Sequence, residues 1–98
     1  MPAYRSGKNP MSSFVSRMGP LMYRGLKARN VSNIDRAYDY MMRQIALEST
    51  YGDAKHSALH NYGGVMNGGK LKQFKSDQDF IDYYLNLVHN KYPGAWDA

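Results

Sequence analysis

The chain has no cysteine among its 98 residues, which excludes a disulfide framework and a thiolate metal site. It has no run of roughly 18 or more apolar residues, so no segment is expected to cross a bilayer as a helix. The N-terminal stretch MPAYRSGKNP carries charge but is followed by no apolar run. A signal peptide is therefore not expected, and synthesis is assigned to the cytoplasm. Glutamate is the scarcest charged residue: of eight acidic residues, seven are aspartates, and Glu48 is the single glutamate. No site here can pair two glutamates, so paired-carboxylate chemistry has to recruit an aspartate.

What is present is enough for a fold. Hydrophobic residues make up 43% of the chain. A domain of this size buries about two-thirds of its unfolded surface, so a modest core is affordable. The three histidines are His56, His60 and His89. The first two stand four apart, but a zinc site needs a third ligand, and no glutamate follows the first histidine as in zinc peptidases. The sequence thus implies neither a metal nor a cofactor.

Residues 1–11 contain Pro2, Gly7 and Pro10 and read as an irregular arm before a single domain over 12–98. A helix is predicted from Ser12 or Ser13, with Phe14, Met18, Leu21, Met22 and Leu26 at helical spacing. Gly19-Pro20 lies inside this run, so the helix either kinks there or restarts on Pro20. Asn30 and Ser32-Asn33 form a polar break. Ser32 or Asn33 can cap a second helix whose stripe is Ile34, Tyr38, Met41 and Ile45, widened by Ala37, Met42 and Ala46. A short helix is predicted over 53–60. Asn67-Gly68 signals a hairpin turn between strands over 62–66 and 70–74. Ser76 opens a last helix with Phe80, Ile81, Tyr84, Leu85 and Val88 on its apolar face, ended by Asn90 and Pro93-Gly94. The only tryptophan, Trp96, is expected to dock on the core or line a groove. The fold class is α+β, mostly α, with one short β-hairpin.

The second helix carries the chemistry. The position three beyond Ile45 is Glu48, so the lone glutamate falls where a core residue is expected. A carboxylate held against apolar neighbours loses hydration, which favours its neutral form. A neutral carboxyl in a cleft can act as a general acid. The plainer reading is a helix-end glutamate turned to solvent or capping a backbone amide.

The run Gln44-Ile45-Ala46-Leu47-Glu48-Ser49-Thr50-Tyr51-Gly52 resembles the catalytic helix end of the glucosaminidase domains of glycoside hydrolase family 73, which includes flagellar peptidoglycan hydrolases and cell-wall autolysins. Phe14-Val15 followed by Pro20 resembles that family's first helix. Asn61-Tyr62-Gly63-Gly64-Val65 resembles its asparagine-aromatic-glycine step, and Phe74-Lys75-Ser76 with Ile81 and Tyr84 resembles the opening of its last helix. Lys91-Tyr92-Pro93 fits its end. The motifs keep their order over 12–98.

The resemblance implies a lysozyme-like helical fold that cleaves the β-1,4 GlcNAc/MurNAc backbone of peptidoglycan. Glu48 takes the place of the family's general acid. Tyr51, Tyr62 and Tyr84 take aromatic positions near the cleft, and Asn61 that of the asparagine before Tyr62. These four are the candidate substrate-binding residues, since tyrosine faces stack on sugars and tyrosine hydroxyls hydrogen-bond to them. There is a departure from the pattern: many relatives carry a second acid in a longer β-lobe, and here residues 62–76 hold no Asp or Glu. Hydrolysis with two flanking carboxylates then needs Asp53 to orient a water. Otherwise the substrate's 2-acetamido group acts as nucleophile, or a 1,6-anhydro sugar forms as in lytic transglycosylases. A single-glutamate mechanism is favoured, with Asp53 as a second candidate catalytic residue.

Lys and Arg number 13 against eight acids, a formal net charge of +5 that lies in residues 1–49. An acidic polymer such as peptidoglycan suits this balance. Nucleic acid also does, with nine tyrosines to stack on bases. It is disfavoured because Arg17, Arg24, Lys27, Arg29, Arg36 and Arg43 fall mostly on the polar faces of helices. The expected setting is a bacteriophage lysin that reaches the cell wall after holin release, or a virion component in contact with tail proteins. The competing class is a virion structural or wall-binding protein that keeps the fold without the activity.

Overall fold

The computed structural model describes residues 10–91; the N-terminal residues before Pro10, and Pro93-Gly94 and Trp96 with the expectations attached to them, lie outside the described residues. A proline opens the first helix, α1 (Pro10–Ala28). Its missing N–H is one that a first turn does not use. The helix therefore starts two residues before the expected serine cap, and Met11 belongs to it rather than to the arm. Pro20 does not restart it either, because α1 runs through that position unbroken. Gly19 is a packing residue: a Cβ there would sit 2.6 Å from the Tyr38 hydroxyl. Phe14, Met18, Met22 and Leu26 step by four along one buried seam.

Asn30 ends α1 in the left-handed conformation, at φ 56°. The Asn30 amide donates to the Lys27 carbonyl and the Val31 amide to the Leu26 carbonyl, which brings Val31 onto the core. This is the pattern that satisfies orphan carbonyls at a helix end. Of the two predicted caps for α2 (Ile34–Glu48), Asn33 is used, and its side chain accepts from the Arg36 amide. Ala37, Met41, Met42, Ile45 and Ala46 are buried as the stripe predicts. The stripe then continues by four rather than three, so fully buried Ser49 takes the core position and Glu48 is exposed. The expectation that apolar packing around Glu48 strips its hydration is thereby corrected.

A short helix, α3 (Ala54–Leu59), follows, capped by Asp53. The hairpin pairs β1 (Met66–Asn67) with β2 (Lys70–Leu71), Met66 opposite Leu71 and Asn67 opposite Lys70. Both central residues are glycines at positive φ, Gly68 at 62° and Gly69 at 83°. A two-residue turn of this type needs both. The turn therefore sits one residue later than Asn67-Gly68 implied, and each strand is two residues long rather than five. The last helix, α4 (Asp77–Lys91), is capped by Ser76, whose hydroxyl accepts from the Asp79 amide at 3.1 Å.

The core is an aromatic chain laid against α1. Phe14 meets Tyr62 edge-on at 5.7 Å, Tyr62 meets Phe80 at 5.4 Å, and Phe80 stacks on Tyr84 at 5.6 Å. Helix α1 packs against both α2 and α4. Gly19 faces Tyr38 while Gly52, just past α2, faces Phe14, so α1 and α2 run in opposite directions. Arg17 reaches Asp77 and Arg29 reaches Asn86, so α4 runs with α1. Helices α2 and α4 are thus antiparallel, and α1 holds them apart. The fold is mostly helical with one small antiparallel sheet, as predicted, and among the described residues no helix is long and apolar enough to cross a membrane.

Candidate active site

The space between α2 and α4 is a groove of 560 Å³. Helix α2 contributes Arg36, Ala37, Tyr40, Gln44 and Glu48, preceded by Asn33, and α4 contributes Tyr84, Leu87, Val88 and Lys91. Gly63 also lines the groove. Four of the α2 residues, Arg36, Tyr40, Gln44 and Glu48, form a single row at spacing four, which puts them on one helical face. Glu48 is the only carboxylate on the groove among the described residues.

Glu48 is the last residue of α2, and the chain turns sharply behind it. Thr50, Tyr51 and Gly52 all have positive φ, at 52°, 57° and 69°. For a β-branched residue such as Thr50 this conformation costs on the order of 1 kcal/mol or more. The surroundings impose it. The Ser49 hydroxyl donates to the Ile45 carbonyl at 2.7 Å and accepts from the Gly52 amide at 2.9 Å. The Tyr51 amide donates to the Ala46 carbonyl at 2.7 Å, and the Ser57 hydroxyl to the Gly52 carbonyl at 2.7 Å. Gly52 is required on two counts, since a Cβ there would lie 2.8 Å from the Phe14 ring.

On the groove side, Glu48 faces backbone. A Cβ on Gly64, which has φ 65°, would come 3.3 Å from the Glu48 Oε1. Tyr84 forms the floor beside this carboxylate, only 7% exposed. Burial pushes the Tyr84 phenol above the usual tyrosine range, and the nearby Tyr40 and Glu48 push it the same way, so it stays a neutral hydroxyl. The charges on this wall oppose the α2 dipole: Arg36 is in the first turn and Glu48 in the last. Each such placement costs about 0.3–1 kcal/mol at a surface. Helix stability therefore does not explain either charge.

The other expected site residues lie elsewhere. Tyr62 is a core residue, 1% exposed, and does not line the groove. Its hydroxyl donates to Asp77 Oδ1 at 2.6 Å, and burial followed by that bond pushes its pKa up. Asn61 is fully buried and holds the hairpin loop, not a substrate. Its Nδ2 donates to the Val65 and Lys72 carbonyls, both at 2.8 Å, and its Oδ1 accepts from the Val65 amide at 3.1 Å. These bonds divert the chain before β1 and account for the short strands. Tyr51 is half-buried against the core and is not a groove residue. Asp53 is the cap of α3, and accepts from the His56 amide at 3.0 Å and from His56 Nδ1 at 2.7 Å. The bonds from the His56 amide and ring hold its carboxyl below the usual value of 3.8. Both bonds fall on Oδ1, and Asp53 does not line the groove.

A second polar cluster has no counterpart in the sequence reading. Asp77 accepts from Tyr62 and pairs with His60 Nδ1 at 2.8 Å and Arg17 Nε at 3.3 Å. It ties α1, the end of α3 and the start of α4 together. Its members are far apart in sequence, and the only local signal was an acidic residue in the first turn of α4. The groove residues Arg36, Tyr40, Gln44 and Lys91 were also missed as site residues, although the row ending at Glu48 could have marked three of them. Among the described residues no three side chains are placed to hold a metal ion. Comparison with protein-family models, with curated proteins and with solved structures gives no match to this chain.

Proposed function

We propose that the chain is a glycosidase acting on the β-1,4 GlcNAc/MurNAc backbone of peptidoglycan, with Glu48 as its general acid. The observation that carries this reading is the position of the lone glutamate: it ends α2 on the wall of an open groove, next to a tyrosine floor and opposite a glycine. The motif around it, which resembles that of family 73 glucosaminidases, points the same way. Tyr84 and Tyr40 offer ring surface and hydroxyls to a sugar. Glu48 is exposed in the free protein, and a sugar seated in the groove covers it.

Glu48 gives its proton to the glycosidic oxygen as the bond from that oxygen to C1 breaks. Among the described residues Glu48 is the only carboxylate on the groove, and the substrate supplies the nucleophile. Either the 2-acetamido oxygen bonds to C1 and water then opens the ring formed, giving its proton to Glu48; or the 6-hydroxyl attacks C1, giving its proton to Glu48 and leaving a 1,6-anhydro sugar. The bacterial wall is the place of action, reached as a phage lysin or virion component. Digestion of purified peptidoglycan by wild type and Glu48→Gln tests the reading: clearing by the first and not the second supports it. A wild type inert on every wall preparation favours a wall-binding or virion structural role, for which the lack of a second acid on the groove among the described residues is the specific observation.

A further inference from the structure

The two ends of the groove differ in charge. Glu48 stands at one end. At the other, Arg36 from α2 and Lys91 from α4 face the same space from opposite walls. Arg36 and Glu48 are separated by twelve residues of helix, about 18 Å along the axis. The antiparallel course of α2 and α4 places Lys91, the last residue of α4, toward the Arg36 end. Both cations are exposed, and neither makes an ion pair among the described residues. Three arginines elsewhere behave differently: Arg17 pairs with Asp77, Arg29 with Asp82 and Arg43 with Asp39. Asp39, three residues from Arg36, is the acid that could have neutralised it, and it is held by Arg43 at 3.2 Å instead.

We propose that Arg36 and Lys91 form an anion subsite that holds a carboxylate substituent of the polymer in the groove. The inference rests on the glycosidase reading and narrows its substrate to an acidic oligosaccharide bound in one orientation. Two cations on facing walls can embrace a carboxylate, and the guanidinium can do so through two parallel hydrogen bonds. Glu48 repels the same group at the other end. A glycan with carboxylates therefore gains by placing one at Arg36 and Lys91, and loses by reversing. A neutral glycan has no such preference.

The test measures binding without turnover, by titration calorimetry on the Glu48→Gln chain. One probe is a neutral β-1,4-linked N-acetylglucosamine oligomer. The other is a peptide-free GlcNAc–MurNAc oligomer of the same length, whose lactyl groups carry free carboxylates. The acidic oligomer should bind about tenfold more tightly, the advantage expected of charge-assisted hydrogen bonds, and this preference should shrink with added salt. Arg36→Gln with Lys91→Gln should remove the preference, lowering affinity for the acidic oligomer about tenfold and for the neutral oligomer by far less. Equal binding of the two oligomers, or an equal fall for both on substitution, overturns the subsite and leaves the glycan reading standing. Binding of neither oligomer overturns both. Tighter binding of a short DNA duplex, lost on the same double substitution, overturns the carboxylate in favour of nucleic acid.

Discussion

The groove and the Asp77 cluster are both built from polar side chains, yet they are satisfied to different degrees. Asp77 has three partners, Tyr62, His60 and Arg17. Asn61 spends both ends of its amide on backbone. Each of these groups is used up by the protein itself. On the groove, Glu48, Arg36 and Lys91 have no ion-pair partner among the described residues, and two of them oppose the dipole of their own helix. A polar group saturated by the fold supports architecture. One left open at a cost is available to a ligand. Substitutions in the two regions should therefore separate cleanly, with stability lost in one and activity in the other.

The largest effect expected is on activity. Glu48→Gln should lower peptidoglycan cleavage by about 10²–10⁴-fold, the range supplied by a general acid, with a thermal melt no lower than wild type, since it removes an anion from the end of α2. The largest stability effect should come from Asn61→Ala, which orphans the Lys72 carbonyl and the Val65 amide and leaves the Val65 carbonyl with only the Lys72 amide. A loss of about 3 kcal/mol, read from urea unfolding, is expected. Asp77→Ala removes the acceptor of the buried Tyr62 hydroxyl and the partner of His60 and Arg17. It should cost about 1–3 kcal/mol by the same measurement. If Asn61→Ala spared stability while Glu48→Gln reduced it, the division between the two regions would fail.

Much of the fold was readable because it follows short-range rules. The buried seam of α1, the stripe of α2 and the Ser76 cap depend on spacings of three and four residues. The boundaries that shifted did so for local steric reasons: Pro10 suits a first turn, and Gly68-Gly69 suits both left-handed positions of a hairpin. The site was less readable. The sequence marked Glu48 and Tyr84, which lie on the groove. It could not show that Tyr62 points into the core or that Asn61 is consumed by the loop, since both depend on contacts with segments folded back from elsewhere in the chain. The extrapolated stripe also placed Glu48 inside. At the last turn, the step of three and the step of four lead to different faces, and Ser49 took the buried one.

A smaller effect appears at high pH. The Tyr62 phenol has its pKa raised above 10.0 by burial and the bond to Asp77, and burial raises that of Tyr84. The unfolded chain therefore loses these protons first. Their contribution to stability is complete below pH 10.0 and is lost as pH rises through the folded values. Urea midpoints measured from pH 8 to pH 11 should fall only above about pH 10, and Tyr62→Phe should weaken that fall. The smallest effect is at the turn behind Glu48. Thr50→Gly relieves a β-branched residue at φ 52° and should stabilise the protein by about 1 kcal/mol in the same assay.

The central proposal is that Glu48 acts in a groove that holds no second carboxylate among the described residues. Mass spectrometry of the sugar ends released from peptidoglycan by wild type and by Glu48→Gln, at matched melting temperature, tests this most directly. Fragments with new GlcNAc, MurNAc or anhydro-MurNAc ends from the wild type, and none from the variant, are the predicted result. Undiminished release by the variant, or no release by the wild type, would contradict it.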